Sequence, residues 1–275
     1  MDVSAIDYYA NHGGSFLHRA SAPSKLVFAG LVIASVVVTG NFYFLLGAYI
    51  TLAALVFRTG LPAFKVITIA AYPAIFSLIF AAAGWNGNWI GAGVIILKAL
   101  TAALASVIVI VTTPYPDVFA SLRPFLPKII AEGLFLTYRS LFLLLDLLDN
   151  LLKALRVRGG ISRGKIARNV VNFSSGIGLL LVRGLDISEK FYGVMRVRGY
   201  NGKLSGGYDR AGSPACDAGA VLTGAAILAL ALVMRYEPGL ESLGIYFVYA
   251  AVLALALSAA WGLYPKREAE AWKKS

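Results

Sequence analysis

The chain has 275 residues, 59% of them hydrophobic and only 14% charged, with a mean hydropathy of +0.74. Soluble domains carry roughly 25% charged residues, so this balance points to lipid and excludes an ordinary soluble fold. In a chain this apolar, the net charge of +11 reads as cytoplasmic loops facing anionic lipid or an acidic partner, rather than as a nucleic-acid surface.

Taken in order, the first fifteen residues hold no Lys or Arg, and the apolar run after them is followed by further membrane segments, so no secretory signal peptide is expected. Six apolar runs are candidate spans: Leu26–Thr39, Phe42–Phe57, Val66–Ala83, Ile90–Thr112, Ala218–Met234 and Leu243–Leu263. The first two are short enough that Leu26–Phe57 could be a bent hairpin. Trp85 and Trp89, in the polar loop after the third run, suit the headgroup level. Arg19, Lys25, Arg58, Lys65, Lys266 and Arg267 flank alternate ends of these runs, which places both termini in the cytoplasm of a multi-pass cell-membrane protein. Lys98 is the one charge well inside a span; it reads either as a substrate or ion contact, or as a bundle-facing or snorkelling side chain.

Between Pro114 and Arg210 lie fifteen of the 25 basic residues, yet the segment reads as helices rather than as a disordered loop. Thr113-Pro114 and Pro116-Asp117 are helix-start signals, and Pro124 and Pro127 end the short helix that follows. From Ile129 to Val157 an apolar pattern is broken by Glu132, Arg139, Asp146 and Lys153, seven residues apart, which predicts a narrow polar stripe along a long helix. A second long helix is expected over Val170–Arg196, charged at Arg183, Asp186, Glu189 and Lys190. The organisation expected is a membrane domain over 1–112, a cytoplasmic coupling module over 113–210 and C-terminal membrane helices over 211–275.

The two long helices end alike, in Arg156-Val157-Arg158-Gly159-Gly160 and Arg196-Val197-Arg198-Gly199-Tyr200, with Asp146 and Asp186 at the same distance upstream. Cations in a last turn complement the helix dipole, and a following Gly allows the left-handed conformation that ends a helix. Each tip therefore presents guanidinium groups suited to bidentate pairing with carboxylates, and two tips suit a partner with two similar receptor sites. For a single copy, ordinary positive-inside charge with a helix cap would explain the pattern. Two copies at a shared offset favour a designed pair.

These residues resemble the transmembrane T component of energy-coupling factor (ECF) transporters, a family that includes a cobalt and nickel importer branch. The resemblance is carried by Thr112-Thr113-Pro114-Tyr115-Pro116-Asp117, Leu126-Pro127, Tyr138-Arg139, Arg158-Gly159 and Arg198-Gly199-Tyr200, with Phe16-Leu17-His18-Arg19 and Lys25 at the opening. Val157 and Val197 stand where the family often has Ala, and Ala22-Pro23-Ser24 replaces its usual Asp-Pro-Arg. The resemblance implies an all-α membrane protein whose long helices form a crossed, V-shaped module. It implies two ABC-type ATPase subunits docked on Arg158-Gly159 and Arg198-Gly199, with Arg156 and Arg196 in second rank. A separate small substrate-binding membrane protein, for a vitamin or a metal cation, would sit on the apolar faces.

Other classes fit less well. An ion-coupled carrier wants Asp, Glu or His within the bilayer, and no Asp or Glu occurs between Asp7 and Asp117. An enzyme wants a catalytic constellation. His12 and His18 stand alone near the N-terminus, no phosphate loop occurs, and Gly159-Gly160 and Gly206-Gly207 read as turns. With Cys216 as the single cysteine, no disulfide, metal site or cofactor is expected.

Overall fold

The computed structural model describes residues 16–59, 63–85, 87–160, 166–200, 212–236 and 243–262, and these are helical, with no strand among them. His12, Gly206-Gly207, Lys266 and Arg267 lie outside the described residues. The helices in chain order are α1 (Phe16–Arg19), α2 (Ala22–Val38), α3 (Phe42–Arg58), α4 (Ala63–Ala70), α5 (Ala74–Ala83), α6 (Trp89–Thr112), α7 (Tyr115–Leu122), α8 (Lys128–Val157), α9 (Ile166–Val197), α10 (Pro214–Tyr236) and α11 (Leu243–Gly262). They form two compact units, Met1–Ser121 with Asp209–Ser275, and Leu122–Tyr208.

The first unit is built on close helix pairs. α3 packs along α11, where the Phe44 ring stacks on Phe247 with centroids 5.5 Å apart. Gly47 makes this possible, since a Cβ there would run into the Phe247 ring. α2 packs along α10 with Gly224 against Phe28, and α6 lies against α2, α3, α4 and α5. Small residues at such seams let backbones approach where no hydrophobic force separates protein from lipid. Phe28, Val32, Phe44, Leu45, Leu52 and Leu104 form the sealed centre, each at most 1% exposed.

Polar side chains close the helix ends. Asn41 and Asn88 cap α3 and α6 by accepting from the Tyr43 and Ile90 N–H groups. At the opposite pole of α6, the buried Lys25 ammonium donates to the Thr112 carbonyl at 2.9 Å. Lys98 Nζ and Arg235 Nη1 donate to the Val37 and Val38 carbonyls at the end of α2. Three cations at two helix carboxyl termini follow the helix dipole, and the Lys98 contact is made to the bundle itself. Asp217 accepts from the Ser21 N–H and the Ser24 hydroxyl, fastening the start of α10 to the segment before α2.

Four segments are long and apolar enough to cross a membrane: Ala63–Ala83, Trp89–Thr112, Ala167–Val197 and Pro214–Tyr236; Ala22–Val38, Phe42–Arg58 and Leu243–Ser258 are shorter apolar helices. The third span expected from sequence is not one continuous helix. Pro73 has no N–H and its ring crowds the carbonyl four residues back, so α4 and α5 are separated by a turn at 71–73, where Tyr72 and Ala74 donate to carbonyls three residues back. The second long helix begins at Ile166 instead of Val170.

In the second unit, α8 and α9 run antiparallel. Leu144 lies against Gly184, and Leu151 and Leu155 against Gly176, where a Cβ would stand 2.8 Å from Leu151 Cδ2. From this close approach toward the Lys128 end, a groove of about 890 Å³ opens between the helices, lined by Leu141, Leu144, Leu148, Ile177, Leu181 and Phe191 among others. Most of this unit's large apolar side chains are exposed, among them Leu145 at 41% and Leu185 at 72%.

Candidate functional site: two arginine-tipped helix ends

Each tip is built by the same backbone device. At the first, the Gly160 N–H donates to the Leu155 carbonyl at 2.8 Å and the Gly159 N–H to Arg156 at 3.1 Å. At the second, the Tyr200 N–H donates to Met195 and the Gly199 N–H to Arg196, both at 3.0 Å. This crossed pair of bonds is the Schellman motif, which requires a left-handed residue just past the helix. Gly159 with φ 67° and Gly199 with φ 77° supply it, and a Cβ at that conformation would be strained.

The turn fixes what the tip displays. Arg158 and Arg198 occupy the cap position, while Arg156 and Arg196 lie in the last turn. All four are exposed, and among the described residues no carboxylate pairs with any of them. Arg196 lies over the Tyr192 ring at 5.9 Å. Between the arginines stand Val157 and Val197, 88% and 90% exposed. An apolar knob flanked by two exposed guanidinium groups is thus repeated at both tips.

The antiparallel pairing sends the tips to opposite ends of the helix pair. Beside the first tip, Asn172 Nδ2 donates to the Gly160 carbonyl at 2.8 Å. Beside the second, the Tyr200 hydroxyl donates to Glu132 Oε2 at 2.8 Å. Glu132 lies near the start of α8 and Arg158 caps its end, so the tips are separated by on the order of 40 Å at 1.5 Å per residue.

The polar stripe divides between two tasks. Glu132 bonds Tyr200, and the Arg139 guanidinium lies 4.5 Å over the Phe191 ring, so both face α9. Lys153 pairs with Asp149 one turn away at 2.6 Å, with both side chains about two-thirds exposed, and such a pair is worth about 0–1 kcal/mol. Asp146 is exposed. A seven-residue repeat drifts by roughly 20° per repeat on a straight helix, so the row begins in the helix interface and ends on the surface. Glu132 holds the Tyr200 proton, raising that hydroxyl above the ordinary tyrosine value chiefly through the hydrogen bond.

Sequence reasoning did not assign roles to Tyr200, Asn172 or Phe191. Tyr200 stood in the motif as a neighbour of Gly199, and its bond to Glu132 spans 68 residues, which no local pattern encodes. Among the described residues no group of three or more His, Cys, Asp or Glu converges to hold a metal.

A family model described as CbiQ, cobalt transport protein, matches residues 13–207. The chain belongs to the CbiQ family. The match spans both tips, the Thr112–Asp117 motif and the Leu17-His18-Arg19 opening. Two of these separated motifs meet in space, because Lys25 caps the helix that ends in Thr112. No curated protein matches the sequence. As a CbiQ chain with this hydropathy and these helices, the molecule is an all-α membrane component of a transporter.

Proposed function

We propose that the chain is the transmembrane coupling subunit of an ECF-type ABC importer, with both termini in the cytoplasm. It transmits ATP-driven motion from two ATPase subunits to a separate small membrane protein that binds the substrate, a vitamin or cobalt or nickel. The observation that carries this reading is the repeated tip: two Schellman turns of the same form, on the order of 40 Å apart, each presenting an exposed Val between two exposed arginines. Such a surface fits an acidic groove with an apolar floor, and its duplication fits a pair of similar subunits.

The mechanism follows from the helices. ATP closes the ATPase pair and moves the docked tips. α8 and α9 carry that displacement as rigid rods, and the Leu-rich groove changes shape against the substrate-binding protein. An interface with few directional bonds can be remade in each cycle and can accept more than one partner. Hydrolysis belongs to the ATPases, and the metal or vitamin is cargo of the third protein.

Charge reversal tests the docking. R158E or R198E is expected to lower recovery of ATPase subunits with the tagged chain by about ten- to 150-fold each, the value of one charge-assisted contact of about 1.5–3 kcal/mol, and the double variant is expected to abolish it. Unchanged assembly and substrate uptake in the double variant would overturn the assignment.

A further inference from the structure

Both turns extend beyond the arginine tip to a second attachment. The residue that completes each Schellman motif, Gly160 at one end and Tyr200 at the other, is bonded across to the opposite helix. We propose that Asn172–Gly160 and Tyr200–Glu132 are a pair of latches that hold each ATPase-docking tip to the start of the neighbouring helix, making Tyr200, Glu132 and Asn172 positioning residues for coupling. The inference rests on the docking role of the tips and adds the residues through which their motion reaches the partner helix.

The physical case is one of stiffness. A helix end held only by its own closing turn frays, because no contact from outside that turn holds it. A tip that frays absorbs an applied displacement instead of transmitting it. Each latch ties the tip's final turn to a helix that runs the other way, so a push on either tip loads both helices. Along the groove, Arg139 over Phe191 is a further side-chain bridge, and the Leu surfaces there can slide. The latches are unequal: Tyr200 donates to a carboxylate, whereas Asn172 donates to a neutral carbonyl. Hydrogen bonds to charged groups are roughly twice as strong as neutral ones, so the Tyr200 end is the firmer, and the two ATPase sites do not load the module alike.

The test uses Y200F, N172A and E132Q in the full-length protein, in two measurements. In detergent, amide hydrogen exchange should quicken in Y200F by about three- to tenfold at both Arg196–Tyr200 and Lys128–Glu132. Glutamine retains an acceptor oxygen, so E132Q should recover part of the protection. Unchanged exchange at the Lys128 end would overturn the latch, whatever the chain's partners prove to be. In the assembled importer, Y200F should bind the ATPases at the wild-type level and hydrolyse ATP while importing several-fold less substrate per ATP. N172A should show the same defect more weakly. Loss of assembly in Y200F would make Tyr200 a docking contact and sink the proposal, as would an unchanged ratio of import to hydrolysis. Absence of ATPases from the wild-type complex would instead refute the proposed function, and the exchange result would still decide whether the latch exists.

Discussion

At the residue scale, the tips depend on glycine, arginine and one tyrosine. Gly159 and Gly199 sit at positive φ, where a Cβ costs about 1 kcal/mol. G159A or G199A should therefore loosen its tip by about that amount, read as faster amide exchange over the last helical turn, with little change in the rest of the helix. Lys25 is 2% exposed and closes the end of α6 on the Thr112 carbonyl. K25M keeps the stem but leaves that carbonyl without the ammonium, and should lower stability by about 1–3 kcal/mol, measured as thermal unfolding in detergent. Tyr200 supplies a pH dependence. The folded protein holds its proton above the usual tyrosine range because Glu132 accepts it, so the bond is intact at neutral pH. It is lost as pH rises through that elevated value. Ultraviolet difference titration of wild type against E132Q should show one tyrosine ionising at lower pH in the variant.

At the element scale, α8 and α9 are long helices that bury little of their own surface, and their close approach relies on Gly176. G176L would force the helices apart at Leu151 and Leu155 and should disturb import while both tips remain able to bind ATPases, measured as import per ATP hydrolysed. Much of this element structure was legible in the sequence, because apolar periodicity, proline and glycine act locally. The short helix between Pro114 and Pro127, both long helices and their glycine ends lie where those residues require. The break at Pro73 was legible in principle, since a proline inside an apolar run cannot donate to the carbonyl four residues back, but hydropathy alone carries the run through it. The direction of α9 against α8 was not legible. Two copies of Arg-Val-Arg-Gly look the same whether their helices run parallel or antiparallel, and the choice is made by contacts such as Leu144 on Gly184. Glu132, Arg139, Asp146 and Lys153 lie on one helix, and the row's division between interface and surface comes from the gradual drift of a seven-residue spacing.

At the scale of the whole molecule, both units expose large apolar side chains, such as Phe80 and Leu253 in the first and Leu181 and Leu185 in the second, and only the first has a buried apolar centre. Contiguous apolar surface of this kind is normally covered by lipid or protein, and the proposed importer supplies both. The proposed orientation makes its own prediction. Cys216 is the only cysteine and is buried, so V157C should react with a membrane-impermeant thiol reagent only when the cytoplasmic side is open, and W85C should react from outside. Labelling on the opposite sides would invert the topology and remove the tips from any cytoplasmic ATPase. The most direct measurement is affinity purification of the tagged chain in mild detergent, with identification of everything that accompanies it. The account predicts two ATPase subunits and a small membrane protein, whose identity would name the substrate. Recovery of the chain alone, with uptake that follows an ion gradient, would contradict it and mark the chain as a self-sufficient carrier.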